Sequence, residues 1–258
     1  MKTSLSLIIT TSALISLPAS AAVLLNDSFG GEKNTITGSS DGQTGTLAGI
    51  NRVERNFNAN AIVDGAGRLR FDNNTTNGNE GSIVYYDNNF TGLNAFTVTL
   101  ESLTGSSAGN GRVIGFSVGQ TKANLDAVSG TSPANSVADF FIGYDMIDDT
   151  GLSVFHNGTS QGFLGSPTLS SPDNLSVVFT FADMNATTAL NYAVYLDDAF
   201  VGSGSTAWSG TDENYIAMQS TYSDTSFISS FELTNVPEPT SFSLLALGLG
   251  GLMLRRRK

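Results

Sequence analysis

The sequence predicts an all-β protein, a two-layer, mostly antiparallel β-sandwich, on three observations. Apolar and polar side chains alternate with period two in at least four segments, while the i, i+3, i+4 spacing of an amphipathic helix is nearly absent. Clusters of Gly, Asn, Asp and Ser separate the alternating runs. The charged fraction is only 14%, well under the roughly 25% of an ordinary soluble domain. The 40% apolar content is enough to fill a core. With no cysteine, disulfides, Cys-ligated zinc, iron–sulfur clusters and thiol catalysis are all excluded. Twelve cations against 23 acids argue against nucleic acid as a partner, which needs a basic footprint.

The chain opens with Lys2, an apolar run from Leu5 to Leu17 broken only by Ser and Thr, and then Pro18-Ala19-Ser20-Ala21-Ala22. A positive start, a short apolar stretch and small residues at a cleavage site make a secretory signal peptide over 1–22. Cleavage after Ala21 fits the A-x-A form set by Ala19 and Ala21, and cleavage after Ala22 fits nearly as well. The apolar run spans 13 residues, short of the roughly 20 that cross a bilayer.

Residues 23–235 are expected to form one β domain, with no linker, charge block or repeat inside. Strands are expected at Leu24–Phe29, Arg68–Phe71, Ser82–Tyr86 and Phe96–Leu100, then at Val113–Val118, Ala138–Tyr144 and Leu152–His156. Further strands are expected at Leu175–Phe181, Tyr192–Leu196, Ala199–Gly202, Ile216–Ser220 and Phe227–Leu233. In Leu175–Phe181 the apolar face is Leu175, Val177, Phe179 and Phe181. In Ala138–Tyr144 it is Ala138, Phe140, Ile142 and Tyr144, with Asp139, Phe141 and Gly143 on the other face. Asn73–Asn79 and Gly105–Gly111 read as turns or loops, and Thr121–Val137 as a short helix or an ordered loop.

The last third resembles a known fold family. In YAVYLDDAFVGSGSTAW, Tyr192–Trp208, an alternating strand runs into Asp197-Asp198 and a second short strand. A terminal strand follows at Phe227–Leu233, and Leu24-Leu25-Asn26-Asp27-Ser28-Phe29 suits a first strand closing beside it. This is similar to the concanavalin A-like jelly roll of LamG-type and laminarin-type modules. The resemblance implies that fold and says almost nothing about activity.

The C-terminus is more specific. Val236-Pro237-Glu238-Pro239 leads through Thr240 and Ser241 into the apolar stretch Phe242–Leu254 and closes with Arg255-Arg256-Arg257-Lys258. A rigid Pro-x-Pro, an apolar helix pausing in the bilayer and four cations held on the cytoplasmic side form a processing signal. An ordinary single-span anchor would need a longer run than these 13 residues. The segment 236–258 resembles the PEP-CTERM sorting signal, with Pro237, Glu238 and Pro239 as its motif and 242–254 as its transmembrane sorting helix. That resemblance implies an exosortase as partner and delivery to the cell surface or extracellular polysaccharide matrix. Without Lys2 and the four tail cations, Val23–Val236 keeps seven positive charges; without Glu238 it keeps 22 negative ones, a net of −15.

Candidate chemistry in the domain is sparse. No Glu-x-Asp-x-x-Glu run offers the paired carboxylates of the laminarinase-like hydrolases, so no catalytic residue is assigned. His156, the single histidine, has no G-x-S-x-G partner and reads as a strand end before a tight Asn157-Gly158 turn. Asp72/Asn73/Asn74, Asp145/Asp148/Asp149 and Asp197/Asp198 are candidate oxygen donors for a structural calcium, without an EF-hand pattern and without assigned ligands. No other cofactor is expected. Trp208, in a loop-like stretch before Gly210, is the candidate sugar platform, with Tyr85, Tyr86 and Tyr222 behind it. Three readings follow: a non-enzymatic surface or matrix protein with glycan contact, a secreted glycan-active enzyme on the same fold, and a coat protein without ligand.

Overall fold

The computed structural model describes residues 21–31, 36–57, 60–72, 81–104, 113–127, 138–145, 151–165, 167, 172–181, 188–209, 213–221 and 226–236. Ala21–Val236 form one compact unit. Its strands begin with β1 (Ala22–Asp27), β2 (Gln43–Thr44), β3 (Arg52–Phe57), β4 (Asn60–Val63), β5 (Leu69–Asp72) and β6 (Gly81–Tyr86). They continue with β7 (Ala95–Leu103), β8 (Val113–Gln120), β9 (Phe140–Asp145), β10 (Gly151–His156) and β11 (Thr159–Leu164). The last are β12 (Asp173–Phe181), β13 (Ala189–Leu196), β14 (Ala199–Ala207), β15 (Tyr215–Thr221), β16 (Ser226–Ile228) and β17 (Ser230–Asn235). One helix among the described residues, α1 (Lys122–Ala127), falls in the segment expected to be a short helix or ordered loop.

Two seven-stranded antiparallel sheets face each other. The first runs β14-β13-β12-β7-β17-β1-β2 and the second β11-β10-β9-β8-β15-β6-β3, with a small β16-β5-β4 sheet beside them. This is the expected all-β sandwich. The first strand lies against the last, with Ala22 opposite Asn235 and Asp27 opposite Phe231, so both ends of the domain leave it side by side.

Alternation explains the core. Along β12, Leu175, Val177, Phe179 and Phe181 are buried while Asn174 and Thr180 are exposed. The Phe179 ring lies 5.0 Å from Phe96, 5.2 Å from Phe140 and 6.2 Å from Phe116, so one side chain ties three strands of both sheets together. On β14, a Cβ at Gly204 would come within 2.3 Å of the Tyr192 hydroxyl. Glycine there leaves room for that ring.

Strand β9 departs from the alternation expected of it. Phe141, on its outer face, is only 1% exposed and packs edge-to-face with Phe155 at 5.8 Å. The second sheet is covered on part of its outer side as well, where Leu125 of α1 packs with Ile83, Tyr85 and Ala217. Phe227–Leu233, expected as one strand, is two: β16 joins the small sheet and β17 the first sheet. The chain changes sheet at Ser229, leaving Phe227 over the Arg68 guanidinium at 4.3 Å and sending Phe231 and Leu233 into the core.

A buried ion pair stitches the sheets. Arg52 of β3 and Asp27 of β1 are both fully buried, with Arg52 Nε donating to Asp27 Oδ2 at 2.7 Å. The Tyr86 hydroxyl donates to the same carboxylate at 3.0 Å, and the Phe29 amide to its other oxygen at 2.8 Å. Burial works against the Arg52 charge, but the hydrogen bond and the charge of Asp27 outweigh it and hold its pKa above the ordinary value. Burial, reinforced by the Asp27 charge, drives the Tyr86 hydroxyl well up.

Among the described residues no helix is long and apolar enough to cross a membrane. Ala19, the motif Pro237-Glu238-Pro239, the stretch 242–254, the basic tail and the turns at 73–79 and 105–111 lie outside the described residues.

A candidate ligand site at one end of the sandwich

At the end of the sandwich where β8 stops and β9 starts, polar groups from five segments converge. Asp139 sits just before β9 and is 4% exposed. Its Oδ2 accepts hydrogen bonds from the Ser209 amide at 2.9 Å and the Ser209 hydroxyl at 2.8 Å. Its backbone carbonyl accepts from the Asn157 amide at 3.1 Å. Burial pushes the Asp139 carboxyl above the usual carboxylate range, and the two Ser209 bonds only partly offset this.

Gly119 closes the floor of the cluster. Its amide donates to Asn214 Oδ1 at 3.0 Å, and the Asn214 amide donates to Asn89 Oδ1 at 2.8 Å. Gly119 has φ +75, and a Cβ there would lie 2.6 Å from Asp139 Cβ and 2.7 Å from the Trp208 ring. Only glycine fits. Asn157 and Ser209 reach the surface above the buried carboxylate. The Asn157 side chain donates to Thr206 Oγ1 at 3.3 Å and to the Ala207 carbonyl at 3.2 Å. The result is an end plate of carboxylate, amide and hydroxyl groups held rigidly by each other. The Asn157 amide and Ser209 hydroxyl are its solvent-facing groups, while the carboxylate behind them is buried and already bonded.

Trp208 is corrected. It is no platform facing a ligand: the ring is 1% exposed and packs edge-to-face on Phe181 at 4.8 Å. Strand β14 runs to Ala207, and the Trp208 amide donates to the Thr188 carbonyl, so the indole turns inward and plugs the end of the core. Among the described residues its Nε1 finds no hydrogen-bond partner. Tyr85 and Tyr86 are buried too, Tyr85 donating to Asp126 at 2.8 Å, while Tyr222 lies outside the described residues.

His156 is half-buried, with Nε2 3.1 Å from the Tyr192 hydroxyl, and burial lowers its pKa. Asn157 and Gly158 both have positive φ, 46 and 75, as a two-residue hairpin between β10 and β11 requires. Of the calcium candidates, Asp197 and Asp198 form the β13–β14 turn, where Asp197 Oδ1 accepts from the Asn174 amide at 2.9 Å. Asp72 ends β5 and Asp145 ends β9. Asn73, Asn74, Asp148 and Asp149 lie outside the described residues. Among the described residues no group of three or more His, Cys, Asp or Glu is placed to hold a metal ion.

Sequence reasoning missed Asp139, placing it on the polar face of a strand, and did not single out Gly119, Ser209 or Asn214. Ser209 is 70 residues from Asp139 and Asn214 is 95 from Gly119. No local pattern links positions so far apart.

Known proteins agree with this architecture. Residues 235–258 match the PEP-CTERM protein-sorting motif. The chain carries a PEP-CTERM sorting signal. It is thereby an exported protein, held briefly at the membrane and processed by an exosortase. The domain ahead of the PEP-CTERM signal shares its fold with carbohydrate recognition domains of the legume-lectin-like, concanavalin A-like class. The carbohydrate recognition domain of Emp46p, in a point-mutant form, aligns with TM-score 0.51 at 13% identity, over 70% of this chain and 87% of that one. The metal-free exoplasmic/lumenal domain of VIP36 aligns with TM-score 0.50 at 13% identity, over 84% and 92%. These likenesses show the fold. A search of curated proteins finds no match to the sequence.

Proposed function

We propose that this is a non-enzymatic surface or matrix protein that binds glycan through the sheet-end cluster after exosortase processing. The observation that carries the reading is the convergence of the Asp139 carboxylate, the Asn157 and Ser209 side chains and the side-chain-free Gly119 at one end of a lectin-like sandwich. An extracellular polysaccharide is the partner that such an address would meet. The cluster is poorly equipped for acid–base work on a sugar, because the Asp139 carboxylate is taken up by hydroxyl and amide donors. Glycoside cleavage needs a second carboxylate across the bond.

The test is a glycan array probed with the exported protein. Wild type should bind, Asn157→Ala should lose about tenfold in affinity, the order of one amide hydrogen bond, and Asp139→Ala should lose a similar factor by releasing Ser209. Silence of the wild type on the array together with normal retention in the matrix would leave a coat protein. Release of reducing ends from β-glucans, abolished by changing one Asp or Glu, would restore the enzyme reading.

A further inference from the structure

The outer face of the first sheet carries a row of side chains that neither packing nor the sheet-end cluster uses. Read across the ladders, Phe200 of β14 stands beside Tyr195 of β13, then Ser176 of β12, Thr99 of β7, Glu232 of β17 and Asn26 of β1. Six neighbouring strands each contribute one residue on one side. At the ordinary interstrand spacing the row is roughly 24 Å long.

The chemistry of the row changes along it. At one end Phe200 is 61% exposed and meets the half-buried Tyr195 edge-to-face at 5.7 Å. A single exposed apolar side chain is ordinary on a protein surface. Here it extends a second aromatic ring and borders polar groups that are already oriented. The Thr99 and Ser176 hydroxyls are hydrogen-bonded to each other at 3.0 Å, which uses one O–H and leaves the other, with spare lone pairs, for a ligand. The Asn26 amide donates to Glu232 Oε2 at 3.0 Å, fixing the carboxylate at the far end.

Charge narrows the ligand. The seven strands of this sheet contain no Lys and no Arg. A polyanion, a nucleic acid or a phosphate headgroup would meet no cation on these strands and would be repelled by Glu232 and Glu101. From the aromatic pair and the hydroxyl–carboxylate row together we infer that this face binds an extended, neutral polysaccharide chain, with one sugar ring stacked on Phe200 and Tyr195 and the following hydroxyls bonded along Ser176, Thr99 and Glu232. The inference rests on the glycan-binding reading for its ligand class and is independent of the sheet-end residues. Two glycan surfaces on one domain would let it bridge polysaccharide chains, which raises retention through avidity.

Affinity electrophoresis of the exported protein tests it, in gels containing hydroxyethylcellulose as the neutral chain and, separately, alginate as the anionic one. Wild type should be retarded by hydroxyethylcellulose and not by alginate. Tyr195→Ser with Phe200→Ser should weaken that retardation about tenfold, the order of a lost aromatic contact, with the melting temperature kept. Tyr195→Phe should retain it. If wild type binds array glycans but passes hydroxyethylcellulose freely, this surface is overturned while the glycan-binding reading stands. If Asp139→Ala alone abolishes retardation, the ligand sits at the sheet end and the row does not bind it. If the double Ser variant turns a dimer into a monomer with retardation unchanged, the patch is an interface between copies and the inference fails.

Discussion

Removing the Arg52 guanidinium would leave the fully buried Asp27 carboxylate without its ionic partner, with only neutral donors around it. Breaking such a pair from one side costs about 3–5 kcal/mol. We expect Arg52→Met to lose that much in urea unfolding, and Arg52→Met with Asp27→Asn to recover a large part of it. Asp139 behaves differently because its charge has no ionic partner among its hydrogen bonds. Burial holds its folded pKa above that of an ordinary aspartate, so the native state holds the proton more tightly than the unfolded chain. Stability from this group is therefore fully present below the unfolded pKa and is lost as pH rises through the folded one. Asp139→Asn should flatten the decline, gaining stability over wild type near neutral pH and little below the ordinary aspartate range, about 3.9. Equal pH profiles for the two proteins would count against the burial of this carboxylate.

Strand β12 is where an element can be tested. Phe179 meets aromatic rings of β7, β8 and β9 at once, and no neighbour on its own strand can fill its volume. Phe179→Ala should cost about 3–5 kcal/mol, read as a lower denaturation midpoint with an unchanged slope. The elements legible in the sequence are those with one wet face. Strands β12 and β13 announce themselves because solvent on one side and core on the other impose period two. Strands β3 and β11 escape the alternation pattern, and both lie at edges of the second sheet. Strand β11, Thr159–Leu164, is exposed along nearly its whole length, so its residues carry no apolar face to read. Strand β14 runs past the expected Gly202 to Ala207, because its Gly and Ser positions pair through backbone groups with β13 regardless of side chain.

The whole molecule is a sandwich between two addresses. β17 ends at Asn235 beside Ala22 of β1, and the sorting motif begins directly after it. Pro237 and Pro239 lack amide donors and restrict the residues before them, so we expect the motif to stay extended. Arg255–Lys258 resist translocation at roughly 2.5–3.5 kcal/mol per cation at a bilayer centre. Changing Pro237, Glu238 and Pro239 to Ala should leave export intact and accumulate unprocessed protein at the membrane, visible on immunoblots of cell fractions. Deleting 242–258 should release folded passenger, since Ala21–Val236 make their own compact unit. Wild-type processing of the triple-Ala protein would make the motif an incidental linker.

Local chemistry in the sequence determined the export route and the fold class. A sorting signal is read as a linear string, and period-two alternation is imposed one strand at a time. Tertiary structure decided the rest. Trp208, set among Ser and Gly, looks exposed along the chain and is buried because Phe181 and Gly119 close over it from distant strands. Asp139 looks like one more polar residue on a strand, and becomes the centre of a buried polar cluster because Ser209 folds onto its carboxylate. Burial and convergence depend on neighbours tens of residues away, and only the packed sheets bring those neighbours into contact.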